Sequence, residues 1–352
     1  MRIFGFCAAL LSLTLIASSS QAAVEDPATW TNRQLVAQTI FMCSSGTGLT
    51  SYKDQVKAGL GGIALVGNGA TSSIKQSITE LSELSPNGVG LVIASDEEGG
   101  GIQRLRKAIY SLPSASQMGK WSDSKVATTA YKYGKRMKAL GVDIAFSPVA
   151  DISVPGYFIA NNGRSFSSDP EVVGRKASAW ASGLSKAGVI PTVKHWPGHG
   201  AVGDTHSFAR KAAKLSVLEA KELVPFNRVI NSGVKLVMVG HLMSEGLTEP
   251  HTPASRSPKA LAYLREQIGE TGVIVTDSLS MGGATAGLKG KSVEATVRSL
   301  KAGADIALVC TGAKDIISKV TKYMDSGVLD RAQMLAKVRR ILLLKSELGL
   351  VK

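Results

Sequence analysis

The chain has 352 residues, of which 44% are hydrophobic and 19% are charged. This composition excludes intrinsic disorder, because so much apolar surface can offset the entropy that a chain loses on ordering. The formal net charge is +14, but the charges are dispersed and only 5% of the residues are aromatic, so nucleic acid is not an expected partner.

The N-terminus predicts a secretory signal peptide over residues 1–22, which leaves residues 23–352 as a single mature domain. Arg2 precedes an uncharged, apolar stretch that ends at Ile16, and small residues follow it. A basic start, a short apolar core and a small-residue cleavage site are typical of export signals. An uncleaved anchor is the alternative, although the run is short for a bilayer span. We therefore expect a periplasmic or secreted protein.

Export and positive charge together make anionic cell-wall polymers possible partners, with solvated surface lysines as the simpler explanation of the charge. The predicted mature chain has two cysteines, Cys43 and Cys310, and each lies at the end of an apolar run. Two buried thiols are the expected state. A disulfide is the alternative, since export permits one. No later segment is long and apolar enough to be a membrane span.

Short apolar runs alternate with helical patterns along the chain. The runs lie at residues 39–43, 62–66, 90–94, 143–149, 189–194, 235–240, 273–277 and 305–310. Helical spacing of apolar residues occurs at 72–84, 177–184, 215–230, 258–268, 293–300 and 330–348. Near-continuous apolar strands suit a parallel sheet that is buried on both faces. The sequence predicts an α/β fold, a single (β/α)₈ TIM barrel, with a doubly wound open sheet as the alternative.

Ionisable residues follow five of these predicted strands, at the end where barrel enzymes carry their active sites. They are Asp96, Glu97, Glu98 and Arg104 after the third run, Asp151 and Arg164 after the fourth, Lys194 and His195 at the fifth, His241 after the sixth and Asp277 at the seventh. Their convergence on one face of the barrel indicates an enzyme rather than a scaffold protein.

A glycine-rich loop at residues 194–206 (KHWPGHGAVGDTH) contains three of the five histidines. Three His and one Asp could bind a metal, but the first strand supplies no His-x-His pair. Acid–base catalysis is the second interpretation. Asp204 lies two residues before His206, close enough to orient its ring and raise its basicity.

This loop resembles the signature of the single-domain β-N-acetylglucosaminidases of glycoside hydrolase family 3, the NagZ-like enzymes. Three further segments match in the same order, at residues 95–106 (SDEEGGGIQRLR), 163–170 (GRSFSSDP) and 275–284 (VTDSLSMGGA). The similarity extends from about Gln34 to the C-terminal helical segment. Two departures stand out: the stretch from Gly200 to Asp204 is one residue short, and Gly101 replaces a common arginine.

The resemblance implies a retaining, metal-free mechanism without a cofactor. It implies Asp277 as the nucleophile, His206 as the general acid/base and Asp204 as the partner of His206. It assigns Asp96, Arg104, Arg164, Lys194 and His195 to the terminal sugar. The expected substrate is terminal β-linked N-acetylglucosamine in cell-wall fragments. Open alternatives are a β-glucosidase, a β-glycoside phosphorylase, a barrel metallohydrolase and an inactive wall-binding protein.

Overall fold

The computed structural model describes residues 26–289, 291–311 and 314–351, so the predicted signal peptide lies outside the described residues. Its central element is a sheet of eight parallel strands. We number them β1 (Ile40–Ser44), β2 (Gly62–Leu65), β3 (Val92–Ser95), β4 (Ile144–Ala145), β5 (Ile190–Trp196), β6 (Leu236–Val239), β7 (Val273–Thr276) and β8 (Ala307–Val309). All eight overlap the strands that the sequence predicts.

The eight strands close into a barrel. Their hydrogen-bonded order is β7-β6-β5-β4-β3-β2-β1-β8. A parallel bridge between Val275 and Ile306 joins β7 to β8 and completes the ring. The predicted single (β/α)₈ barrel is confirmed, and the open doubly wound sheet is wrong. β4 is shorter than its predicted run, which contains Pro148, a residue without an N–H for the ladder.

Alternating strand residues divide between two apolar layers. Phe41 and Cys43 point into the barrel interior, whereas Ile40 and Met42 pack outward against the helices. This alternation follows from the two-residue period of a strand. It also explains why the strands are apolar along their whole length, since both of their faces are buried.

Helices surround the barrel. The longer ones are Asn32–Gln38, Ile74–Ser82, Asp123–Ala139, Pro170–Lys186, Leu223–Asn231, Pro258–Ile268, Lys291–Ala302, Ile316–Asp325 and Arg331–Glu347. Shorter helical turns are Pro27–Thr29, Leu49–Tyr52, Lys53–Lys57, Ala115–Met118, Phe158–Asn161, Leu215–Val217, Leu218–Glu222, Ala254–Arg256 and Gly282–Thr285. Two small sheets pair Glu97–Gly99 with Ile102–Gln103 and Arg210–Lys211 with Leu242–Met243.

All six predicted helical segments are confirmed, Pro258–Ile268 with its predicted ends and the other five with shifted ends. The segment 215–230 contains a π-helical turn at Leu218–Glu222, just before Pro225, which cannot donate a helical hydrogen bond. The helix Asp123–Ala139 is not among the predicted ones. Its buried stripe includes Ala130 and Gly134, which give a weak hydrophobic periodicity.

The C-terminal helix Arg331–Glu347 covers the N-terminal end of the barrel. Ile341 and Leu344 join the apolar cluster of the barrel interior. Lys345 is fully buried and donates from Nζ to Gln38 Oε1 and to the Gly90 carbonyl, both at 2.8 Å. Burial lowers the pKa of Lys345 to about 7. No described helix is both long enough and apolar enough to cross a membrane.

Cys43 and Cys310 form a disulfide, so the expectation of two buried thiols is wrong. The two residues are 267 positions apart in the sequence, but barrel closure makes β1 and β8 neighbours. Met42 pairs with Val309, which brings the next residue of each strand to the same level. The bridge therefore joins the first strand to the last at the C-terminal end of the barrel.

Candidate active site

A cavity of about 470 Å³ opens at the C-terminal ends of the strands. Seven of the eight predicted site residues line it: Asp96, Arg104, Arg164, Lys194, His195, His206 and Asp277. The eighth, Asp204, contacts His206. Apolar side chains complete the wall, among them Phe146, Met238 and Leu308. The cavity therefore combines charged groups with an apolar surface that can cover a sugar ring.

Asp277 directly follows β7, so the barrel wall holds its backbone in place. Its Oδ1 accepts a hydrogen bond of 2.7 Å from the Ser278 N–H. Burial by itself raises the pKa of Asp277, but the neighbouring His241 and His195 rings, the Ser278 N–H and the Lys194 ammonium lower it by more. The pKa therefore lies below its ordinary value, and Asp277 is an anion at neutral pH.

Asp204 and His206 form an exposed pair on the histidine loop. The His206 Nδ1 lies 2.5 Å from Asp204 Oδ1, which also accepts from the His206 backbone N–H at 3.0 Å. The His206 side chain is 64% exposed and the Asp204 side chain is 45% exposed. Partial burial raises the pKa of Asp204, but these contacts with His206 lower it by more. Asp204 thus orients the ring, whose Nε2 is left to exchange a proton.

Lys194 and two carboxylates form the charged floor of the cavity. The Lys194 Nζ is 2.6 Å from Asp96 Oδ1 and 2.7 Å from Glu98 Oε1. Burial lowers the pKa of Lys194, but the two carboxylates raise it by more, so the ammonium stays charged. Glu98 belongs to a strand-end run that the sequence singles out, yet no site role is predicted for it.

Two arginines extend this ion-pair network. Arg164 donates from Nε and NH2 to the two oxygens of Glu98, at 2.7 and 2.8 Å. Burial raises the pKa of Glu98, but Arg164 and Lys194 hold it well below its ordinary value. Arg104 lies 3.7 Å from Asp96 Oδ2 and donates to Asn68 Oδ1 at 3.1 Å. Paired donors and acceptors of this kind suit vicinal hydroxyl groups.

Asp151 orients the base of the histidine loop. Its Oδ2 lies 2.7 Å from His195 Nδ1, and its Oδ1 accepts from the His199 N–H at 2.7 Å. Since Arg164 NH2 donates to His195 Nε2 at 3.2 Å, the ring proton of His195 resides on Nδ1. Asp151 is fully buried. The sequence predicts its position at a strand end but no role for it.

Two further residues, Glu97 and Phe158, contact residues of the site. Burial raises the pKa of Glu97 to about 7, and this side chain accepts from Tyr133 and from the Leu105 N–H beneath the cavity. Phe158 contacts the His206 ring, with centroids 6.1 Å apart, and lies 5.6 Å from the Arg164 guanidinium. Nothing in the sequence pattern marks Phe158.

The loop histidines each engage a neighbour within the protein. His199 Nε2 lies 3.3 Å from Thr205 Oγ1, and burial lowers the pKa of His199 to about 4, so that ring is neutral. Among the residues that the structure describes, no three His, Cys, Asp or Glu side chains converge as metal ligands.

Comparison with known proteins identifies the family. Residues 51–344 match the model of the glycosyl hydrolase family 3 N-terminal domain. The chain is 35% identical over 277 residues to the beta-hexosaminidase LpqI of Mycobacterium tuberculosis, which covers 75% of this chain and 71% of that relative. It is 38% identical over 231 residues to a beta-hexosaminidase of Neisseria gonorrhoeae, covering 62% of this chain and 63% of that one.

Solved structures agree with this result. A glycosyl hydrolase of family 3 from Mycobacterium smegmatis superimposes with a TM-score of 0.81 at 32% identity, over 91% of this chain and 98% of that one. A family 3 beta-N-acetylglucosaminidase from a Paenibacillus species gives a TM-score of 0.83 at 28% identity, over 91% and 63%. The chain belongs to glycosyl hydrolase family 3 and is a glycoside hydrolase built on a single (β/α)₈ barrel.

Proposed function

We propose that the protein is an exported, retaining β-N-acetylhexosaminidase that removes terminal, non-reducing β-linked N-acetylglucosamine from peptidoglycan fragments. One observation carries the proposal. The same cavity is lined by an anionic carboxylate on a rigid strand end and by the histidine of an Asp–His pair on an exposed loop. A retaining glycosidase needs a nucleophile on one side of the sugar and a proton donor on the other.

In the first step, a carboxylate oxygen of Asp277 attacks the anomeric carbon. The bond from that carbon to the leaving oxygen breaks, and His206 Nε2 donates a proton to this oxygen. The product is a glycosyl ester of Asp277. In the second step, His206 takes a proton from water, and the water oxygen displaces the Asp277 carboxylate. Two displacements at one carbon return the starting configuration.

The charged floor serves substrate binding in this proposal. The Lys194 ammonium and the Arg104 guanidinium donate hydrogen bonds to sugar hydroxyls, and Asp96 accepts them. Arg164 and His195 line the same cavity, and their contacts with Glu98 and Asp151, respectively, hold them in place. Because these ions already satisfy one another, they keep a defined geometry before the sugar enters.

Two arguments support the choice of substrate. Two relatives named beta-hexosaminidases share 35% and 38% identity with the chain, which favours the acetamido sugar over glucose. The predicted export signal and the net charge of +14 favour an anionic cell-wall substrate outside the inner membrane.

The test compares 4-nitrophenyl β-N-acetylglucosaminide with the matching β-glucoside, using the mature protein in buffers with and without phosphate. We expect a much higher kcat/KM for the acetamido sugar, with no dependence on phosphate. Asp277→Asn should abolish turnover, whereas the exposed control Asp54→Asn should retain it. A preference for the glucoside would overturn the substrate, and phosphate dependence would indicate a phosphorylase. Sugar binding without turnover would indicate an inactive wall-binding protein.

A further inference from the structure

A second cavity, of about 300 Å³, lies near the other end of the barrel. Residues of three helices line it, Pro258–Ile268, Lys291–Ala302 and Arg331–Glu347. Four of the lining residues are basic and one is acidic: Arg265, Lys301, Lys337, Arg340 and Glu270. None of them borders the catalytic cavity. We call this space the basic cavity.

A buried carboxylate beside the basic cavity, Asp305, is already paired with two of its arginines. Asp305 is buried just before β8, and its Oδ1 accepts from Arg340 Nε at 2.9 Å. Its Oδ2 accepts from Arg265 NH2 at 2.6 Å and from the Ile274 N–H at 2.8 Å. Asp305 thereby anchors both arginines beside the cavity and leaves the lysine without this acceptor.

Lys337 is the most deeply buried cation of the basic cavity. Only 4% of its surface is exposed, yet no described residue gives its ammonium a hydrogen bond or an ion pair within 4 Å. Burial lowers the pKa of Lys337 to about 8, so the group is still largely protonated at pH 7. Lys337 lines the basic cavity, so a bound anion can supply the counter-charge that the described residues do not.

We infer that the basic cavity binds a phosphate group, either as inorganic phosphate or as a small phosphate monoester. Lys337 contacts the anion from the buried side, while Lys301 and the outer nitrogens of Arg340 face it from the rim. The four basic side chains of the cavity outnumber the two nearby carboxylates, Asp305 and Glu270, so the cavity has a net positive charge. Glu270 lies 4.0 Å from Arg340 NH1 and is 88% exposed, so it compensates little. Several acceptor oxygens on a doubly charged anion match this set of donors.

The experiment measures the thermal unfolding of the mature protein in sodium phosphate, in glycerol phosphate and in sodium chloride of equal ionic strength. Ligand that binds only the folded state raises the Tm. We expect a saturable rise of about 2–4 °C at a ligand concentration roughly ten times the Kd. If a phosphate monoester is the natural ligand, glycerol phosphate should give the larger rise in Tm. If inorganic phosphate is the natural ligand, sodium phosphate should give it.

Two variants make the assignment specific. Lys337→Met should lose the rise, should unfold at the same or a higher temperature in chloride, and should keep its kcat/KM on the aryl glycoside. The control Lys132→Met removes one exposed lysine elsewhere and should keep the rise. The inference is overturned if phosphate and chloride act alike on the wild type. It is also overturned if Lys337→Met retains the full rise, because the phosphate then binds elsewhere on the protein.

Discussion

Proton transfer in the proposed mechanism depends on two side chains that belong to a loop rather than to a strand. The Asp204–His206 contact is local, between residues two positions apart, so the loop can carry the pair as a unit when it moves. Asp277, in contrast, is held by the end of β7. This division lets the nucleophile stay in place while the proton donor follows the leaving group.

His206→Ala should therefore slow the departure of poor leaving groups much more than that of activated ones. We expect a loss of about 10²–10⁴-fold in kcat/KM for a disaccharide. The loss should be far smaller for a dinitrophenyl glycoside, whose leaving group needs no proton. Asp204→Asn, which keeps the shape but removes the charge, should fall between His206→Ala and the wild type. Equal losses on both substrates would contradict the role of His206 as the acid.

At the level of elements, the histidine loop rests on the π-helical turn Leu218–Glu222. Gly198 and Gly200 pack against Glu222 so closely that a Cβ at Gly198 would lie 2.8 Å from the Glu222 Cβ. The Glu222 Oε2 is buried without a hydrogen bond from any residue that the structure describes. Burial, with a smaller contribution from Asp151, raises the pKa of Glu222 to about 7.

This arrangement predicts a pH-dependent stability. The pKa of Glu222 is near 4.5 when unperturbed and about 7 in the folded protein, so the folded state binds the proton more tightly. Its stabilising contribution is complete below pH 4.5, declines as the pH rises to about 7, and then levels off. Glu222→Gln cannot ionise. Its free energy of unfolding should exceed that of the wild type by an amount that grows over this range to about 1–3 kcal/mol.

Denaturant unfolding of both proteins at several pH values between 4 and 8 checks this prediction. A difference in the free energy of unfolding that stays constant over this range would contradict it. Glu97 serves as the contrasting case, because its buried carboxylate accepts several hydrogen bonds that Gln cannot all replace. Glu97→Gln should therefore destabilise the protein.

The elements were largely predictable from the sequence, and the reason is physical. Strands that are buried on both faces must be apolar throughout, so all eight leave a continuous signal. The helix Asp123–Ala139 leaves a weak one, because Ala130 and Gly134 occupy its buried stripe. At the site, strand-end position singled out Asp96, Glu98, Asp151 and Asp277 alike, and the family resemblance gave roles only to Asp96 and Asp277. The contacts of Glu98 and Asp151 depend on partners that are distant in sequence, so the sequence could not assign them.

On the scale of the whole molecule, the Cys43–Cys310 disulfide joins the first and last strands of the barrel. A crosslink between residues 267 positions apart removes many conformations from the unfolded chain. The double variant Cys43→Ser/Cys310→Ser should lose about 2–5 kcal/mol of stability, and a reductant should lower the Tm of the wild type alone. Calorimetry with and without reductant measures both effects. A reductant-insensitive wild type with the stability of the double variant would contradict the crosslink.

Sequence alone could not settle this bridge, because two cysteines far apart in a chain are adjacent only if the barrel closes between their strands. The sequence did indicate export, which permits a disulfide. The pairing itself is a property of the closed ring, as is the position of the basic cavity, whose lining residues come from three separate helices.

In the proposed mechanism, a barrel-end carboxylate, Asp277, becomes covalently linked to the sugar. The most direct measurement is mass spectrometry of the protein after reaction with a fluorinated N-acetylglucosaminyl fluoride, which slows the second step more than the first. We predict an adduct of one sugar per chain, located by peptide mapping on Asp277 and absent from Asp277→Asn. An adduct on another residue, or a product of inverted configuration from an enzyme that never becomes labelled, would contradict the account.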